Sequence, residues 1–515
     1  MSKLPISFAL VLLLSLLSGC GQPSNEKLVE SLDVGQVFNT RAPRFDSRQL
    51  PRQFRPRMEL DWELYMDPNL VGLVNDVWME YDLLLVQSVV SVKGISSEFV
   101  LTAIKRENGT AQWAISFPKP LQFRPVVTVH CVYVVVDNDI FSFERGSGRM
   151  RWRITPTDVG FNAPPLVIEP PTYPDEMEKD RNYDMEKVFI SGTDRNLHAM
   201  QVIGRMTQFA SAVQGASVGG TTDPIVQPDY LFRRIWFKPT TGNILWEPIR
   251  VENNIYFASD DSYLYCASID GEDVFKHRLQ AGIVSPVREG IDSVFFSSLD
   301  TFFYSFSRGE NYKKWQHPLQ GFNTREFFVD HNNPDDKLLY IPVRPTALMP
   351  TNPNERARML CVRHEYSSQL EKDEAGKPLS EIEIKRRMKY EEHDTLWEVN
   401  DAMTVLAIGR DVVYLGASSL LPGANYNTIP VDTVIAVEKA TGKELWSAFD
   451  NSGYLKLMVS YDQKIDNDLV NRRSPVRMTI VSKSNHILSF IEPRTESGPY
   501  ELPDKRIPKT ESNKE

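Results

Sequence analysis

Eight large aromatic residues recur along the chain, each closing a segment rich in strand-forming residues: Trp62, Trp113, Trp152, Trp236, Phe275, Trp315, Trp397 and Trp446. From Trp113 to Trp152 and from Trp236 to Phe275 the step is 39 residues, and from Phe275 to Trp315 it is 40. A fixed period near forty marks a repeat architecture, in which no unit buries its apolar face alone and stacked neighbours make the core. The unit itself is legible five times. An apolar strand, a polar turn and a second apolar strand flank Asp137–Asp139, Gly192–Asn196, Ser259–Ser262, Ser298–Asp300 and Lys483–Asn485. Asp, Asn, Ser and Gly in those turns are hairpin chemistry, and the β-branched and aromatic residues on either side are strand formers. The period and the unit together predict an all-β ring of sheet blades.

A second signal precedes several anchors. Gly109, Gly148 and Gly442 each stand four residues before a Trp. The segment Ala436-Val437-Glu438-Lys439-Ala440-Thr441-Gly442-Lys443-Glu444-Leu445-Trp446 resembles the repeat of pyrroloquinoline-quinone-type (PQQ-like) propellers, Ala-x-Asp-x-x-Thr-Gly-x-x-x-Trp, with Glu438 in the Asp place. The resemblance implies an eight-bladed β-propeller of four-stranded antiparallel blades, closed by the N- and C-terminal strands. Gly admits the positive φ of a tight turn. The Trp is expected to lie flat between neighbouring blades, a burial worth about 2–3 kcal/mol per ring.

The steps from Trp152 to Trp236 and from Trp315 to Trp397 are 84 and 82 residues, too long for one regular blade. Neither holds a complete extra unit, so they read as insertions near residues 172–186, 204–230 and 363–394. Trp236 is preferred to Trp246 as the anchor, because the next strand, at Ile255, follows it by 19 residues, as Val132 follows Trp113. Closure is expected where Met58–Trp62 adds an outer strand to the blade of Val476–Ile491, which removes two open sheet edges. The ring then occupies residues 58–492.

The N-terminus belongs to targeting. Lys3 supplies a positive start, Phe8–Leu17 is an apolar stretch too short to span a bilayer comfortably, and Leu17-Ser18-Gly19-Cys20 follows. This resembles the lipobox of bacterial lipoproteins, so residues 1–19 are expected to be a signal peptide and Cys20 the acylated first mature residue. Gly21, rather than Asp, implies the outer membrane, facing the periplasm. Residues 20–57 read as a flexible tether and 493–515 as a loose tail. Cys131, Cys266 and Cys361 sit in apolar strand-like stretches without metal spacing and are expected as buried free thiols.

The 515 residues carry a formal net charge of −10, which argues against nucleic-acid binding, since that needs clustered Lys and Arg. Gly215-Ala216-Ser217-Val218-Gly219 matches a nucleophile elbow in letters, but Asp223-Pro224 follows where the elbow needs a helix. The eight His residues are scattered, no phosphate-binding Gly loop occurs, and the acidic run Asp330–Asp336 lacks calcium-loop spacing and reads as a solvated turn. No catalytic, cofactor or metal residues are therefore assigned. Signal, lipobox and propeller together resemble the BamB lipoproteins of the outer-membrane β-barrel assembly machinery. That resemblance implies a non-catalytic scaffold whose partners are envelope or outer-membrane proteins, met through the propeller surface and the insertions. A PQQ-dependent quinoprotein dehydrogenase and a ligand-binding or sensor propeller remain the competing readings; the chain has no adjacent Cys pair of the kind associated with the former.

Overall fold

The computed structural model describes residues 30–32, 59–66, 72–92, 96–156, 159–170, 182–208, 226–290, 293–323, 327–330, 338–344, 357–363, 394–409, 411–417, 433–449, 455–456, 477–482 and 485–491. Among these every regular element is a strand, and the strands form eight antiparallel sheets. Each sheet is one blade, counted here from the N-terminal side. Blade 1 runs from Leu73–Glu80 to Ala111–Phe117, blade 2 from Val126–Val127 to Met150–Ile154, and blade 3 from Leu166–Ile168 to Val226–Pro239. Blade 4 ends at Asp273–Arg278, blade 5 at Lys313–Pro318, blade 6 at Asp394–Asn400 and blade 7 at Glu444–Phe449. In each of these the first strand is innermost and the last is the fourth outward.

Blade 8 closes the ring. Its inner three strands are Leu455–Lys456, Arg477–Ser482 and His486–Ile491, and its outermost strand is Glu59–Tyr65 from the other end of the chain. The register pairs Trp62 with Ser489 and Tyr65 with His486. Asn485, in the left-handed region at φ 62°, fixes this junction by donating from Nδ2 to Gly72 O at 2.6 Å and Met66 O at 3.2 Å. The pairing replaces two exposed edges by one continuous sheet.

Eight apolar clusters hold the ring, and each is shared by two neighbouring blades. Leu101 and Phe117 of blade 1 pack with Val132 and Phe143 of blade 2. The series ends with Leu406 and Tyr414 of blade 7 on Met478 and Phe490 of blade 8, and Ile487 of blade 8 on Val86 and Ile104 of blade 1. The core is thus a circle of interfaces, as quasi-one-dimensional stacking requires.

Two strand features went unread in the sequence. Glu30–Leu32 pairs antiparallel with Ala111–Phe117, adding a fifth strand to the outer edge of blade 1 within the region read as tether. Blade 3 also extends well beyond its neighbours. Residues 182–186, 204–208 and 226–230, read as irregular insertion, are strand, with Asn182 opposite Arg205 and Gly204 opposite Tyr230. Backbone pairing with the preceding strands carries the sheet outward despite the polar sequence.

Candidate functional site

All eight anchors lie on the fourth strand of their blade, counted outward from the channel. A β-bulge immediately precedes each one, as between Ala103 and Ile104 opposite Trp113, and between Ala436 and Val437 opposite Trp446. A bulge re-aims the side chain that follows it, and here it turns the ring toward the next blade. Trp113 Nε1 donates to Arg145 O at 2.8 Å, and its ring lies on Gly148, where a Cβ would come within 2.5 Å. The same clasp joins Trp62 to Arg106 O and Gly109, Trp236 to Ile269 O and Gly271, and Trp397 to Lys439 O and Gly442.

The four remaining anchors depart for visible reasons. Trp152 meets blade 3, whose third and outermost strands run on to Gln208 and Val226 instead of turning, and its Nε1 points at buried Glu186 at 3.4 Å. Phe275 has no N–H. The corresponding turn for Trp315 would fall within 364–393, outside the described residues. Trp446 packs on blade 8, whose outer two strands come from opposite ends of the chain. The anchors and Gly109, Gly148 and Gly442 hold blades together; none presents a reactive group.

Ionisable groups gather on, and just ahead of, the innermost strands. Arg124, just ahead of the first strand of blade 2, donates to Glu80 of blade 1 at 2.9 Å and also pairs with Glu247, which leads into blade 4. Arg288 of blade 5 reaches Glu247 at 3.2 Å. Four blades are therefore linked across the central channel by two carboxylates and two guanidiniums, with no net charge. Glu80 Oε2 and the indole N–H of Trp246, the residue before Glu247, are buried without a hydrogen-bond partner among the described residues. Nothing in the sequence singled these residues out, since they are far apart and obey no spacing rule.

A cleft of about 580 Å³ opens between blades 1 and 2, lined by Asp82, Lys105, His130, Glu144, Arg145 and Arg151. Much of its charge is already paired. Arg145 binds Asp82, Arg151 binds Glu186 at 2.9 Å, and His130 lies 3.0 Å from Glu169. Cys131 borders the cleft, buried; burial pushes its thiol pKa up against the opposing pull of Arg151. Burial likewise raises Cys266 to about 12, and Cys361 is free and buried. Thiols kept protonated are poor nucleophiles. Asp330, read as part of a solvated turn, is instead buried, 2.5 Å from the ammonium of Lys439 in blade 7. Cys20 and Gly215–Gly219 lie outside the described residues.

Strand direction alternates across a blade, so the chain ends of blade 8, at Glu59 and Ile491, fall on the same face as the third-to-outermost turns. The chain leaves blade 3 at Gln208 and blade 6 at Arg363 on that face, and returns at Val226 and Asp394. Both candidate insertions therefore start and finish on the face of the ring where the closing strand begins.

No family model and no curated protein matches the chain. Solved structures with a similar outline include BamB from Moraxella catarrhalis, at TM-score 0.48 and 10% identity over 86% of this chain and 99% of that one. A quinohemoprotein alcohol dehydrogenase from Pseudomonas putida gives 0.45 and 12% over 88% and 80%. Sqt1 of Saccharomyces cerevisiae gives 0.45 and 9% over 85% and 100%. Likenesses this remote say nothing of activity. On its own strand pairing, and on the Trp–Gly clasps between blades, the chain is an eight-bladed β-propeller.

Proposed function

We propose that the chain is a non-catalytic scaffold of the cell envelope, held at the outer membrane by a lipid on Cys20 and binding envelope proteins in the periplasm, in keeping with a part in outer-membrane protein assembly. The observation that carries this reading is the cross-channel network. Among the described residues, Glu80, Arg124, Glu247 and Arg288 pair with one another across the channel, which serves cohesion rather than proton transfer. Quinone-dependent oxidation would ask for oxygen donors around a calcium ion. Glu80 and Glu247 are each held by a guanidinium, and among the described residues no three His, Cys, Asp or Glu side chains gather where a metal could sit. Carboxylates committed to guanidiniums in this way favour the scaffold reading over a calcium-held quinone at these residues.

Cross-linking in intact cells, followed by capture of the tagged chain and mass spectrometry, tests the scaffold. Recovery of outer-membrane assembly proteins is expected; recovery of the chain alone overturns it. A second reading, a small polar ligand in the channel, is favoured by the two buried orphan atoms, Glu80 Oε2 and Trp246 Nε1. A saturable rise of the unfolding midpoint with such a ligand, lost in Glu80→Gln, is the result that would select it.

A further inference from the structure

The outermost strand of blade 3, Val226–Pro239, has 14 residues, whereas the fourth strands of the other seven blades have five to seven. Its inner edge pairs along its whole length with Asn196–Gln208. Its outer edge has no strand partner among the described residues. It displays apolar surface, with Leu231 51% and Phe237 52% exposed and Ile235 also exposed. Arg233 and Arg234 are exposed between them, one on each side of the strand, and no acidic side chain among the described residues pairs with either. Arg234 instead stacks over Phe237 at 5.5 Å. The molecule already uses one outer edge as a strand acceptor, because Glu30–Leu32 pairs with the fourth strand of blade 1.

We propose that this edge of blade 3 accepts an extended, acidic and apolar segment of a partner protein as an additional antiparallel strand. Main-chain hydrogen bonds would supply affinity, and alternate side chains would supply choice. The charge decides the occupant. A second copy paired over Tyr230–Arg234 would bring four guanidiniums to one seam and offer no carboxylate to any of them, since the segment carries none. A strand bearing Glu or Asp among apolar residues satisfies both the cations and the exposed Leu231. The segment from Tyr230 to Arg234 is the receiving register, because the bulge at Ile235 interrupts the ladder beyond it.

This inference rests on the reading of the ring as a protein-binding scaffold. The probe is a labelled synthetic peptide of alternating Val and Glu, titrated into the purified mature protein and read by fluorescence anisotropy. Two comparison peptides replace Glu by Lys, or methylate alternate backbone nitrogens. Saturable binding of the Glu peptide is expected below about 1 mM, with at least about tenfold weakening by N-methylation, which removes several hydrogen bonds. The double variant R233E/R234E, surface-exposed and checked for an unchanged unfolding midpoint, is expected to prefer the Lys peptide. No saturable binding, equal binding of the N-methylated peptide, or an unchanged preference in the double variant overturns the proposal. Cross-linked capture separates this failure from that of the scaffold reading. Capture retained by a double variant that binds no peptide places partners elsewhere on the ring, whereas no capture by the parent removes the scaffold reading itself.

Discussion

Single residues decide whether adjacent blades can meet. Gly148 has φ +68°, and a Cβ there would fall 2.5 Å from Trp113 Cγ, while Gly146 in the same turn has nothing within 4 Å. Gly148→Ala is therefore expected to cost about 2 kcal/mol or more through backbone strain and displacement of the Trp, and Gly146→Ala less than about 0.5 kcal/mol. Denaturant unfolding of the two variants checks the contrast; equal midpoints would show that the clasp does not bear on stability. A second residue sets a pH dependence. Burial alone would raise the pKa of Asp261, but hydrogen bonds from Tyr265, Thr241 and Ser259 outweigh it and hold the carboxyl below its ordinary 3.8. A depressed folded-state pKa gives stability that is complete above the unfolded value and lost as pH falls through the folded one. Asp261→Asn should therefore be less stable than the parent at neutral pH, with the gap closing as pH drops below about 4. A gap constant from pH 7 to 3 would contradict the assignment. The sequence displays such residues unevenly. Gly148 and Trp113 stand out because the repeat places them at fixed offsets. Asp261 and Tyr265 lie four apart in an ordinary hairpin, and their 2.7 Å hydrogen bond shows only once the strands are paired.

At the scale of elements, the closing strand carries the most weight for its length. Glu59–Tyr65 pairs with His486–Ile491, Trp62 clasps Gly109 of blade 1, and Arg477 pairs with Asp61. Deleting residues 59–65 should open the edge of blade 8 and free the turn at Gly109. The expected result is a lower unfolding midpoint and concentration-dependent association, since an exposed strand edge recruits another. Light scattering together with thermal unfolding reads both, and a monomer of parental stability would show that closure is dispensable. This junction could be read before folding, because Trp62 continues the series of anchors and the strand at Val476–Ile491 otherwise lacks an outer partner. The strand Glu30–Leu32 could not. Three residues of unremarkable composition give no periodicity, and only the open edge of blade 1 gives them a place. The long arms of blade 3 were hidden for the same reason. Polar residues from 182 to 186 and from 204 to 208 become strand through the backbone of their neighbours, not through their own propensity.

For the whole molecule the decisive relation is between anchoring and the faces of the ring. The closing strand starts at Glu59, on the face where the chain leaves and re-enters blades 3 and 6 around 209–225 and 364–393, while Glu30–Leu32 meets the ring separately, at the outer edge of blade 1. Eight blades were countable from the anchors, and the sequence supports a lipid on Cys20, but which loops share a face depends on strand direction and became known only with the topology. Partners recruited by the two segments would be gathered on one face of the ring, whereas the long outer edge of blade 3 points away from its axis. Two variants separate these surfaces. Replacing residues 209–225 and 364–393 by short Gly/Ser linkers leaves every described strand in place, so the ring should fold with a parental unfolding midpoint. Residues 364–393 carry acidic and basic side chains together, so contacts made through them should weaken as salt rises from about 0.05 to 0.5 M, over which the Debye length falls well below 10 Å. The expected result is loss of the salt-sensitive share of cross-linked partners in the linker variant, with capture through blade 3 unaffected. Cys20→Ser is the companion measurement: it should release the protein from the membrane fraction and reduce capture of every membrane-bound partner at once. If the linker variant folds and retains all partners at every salt concentration, the two segments are not contact surfaces, and recognition belongs to the blades themselves.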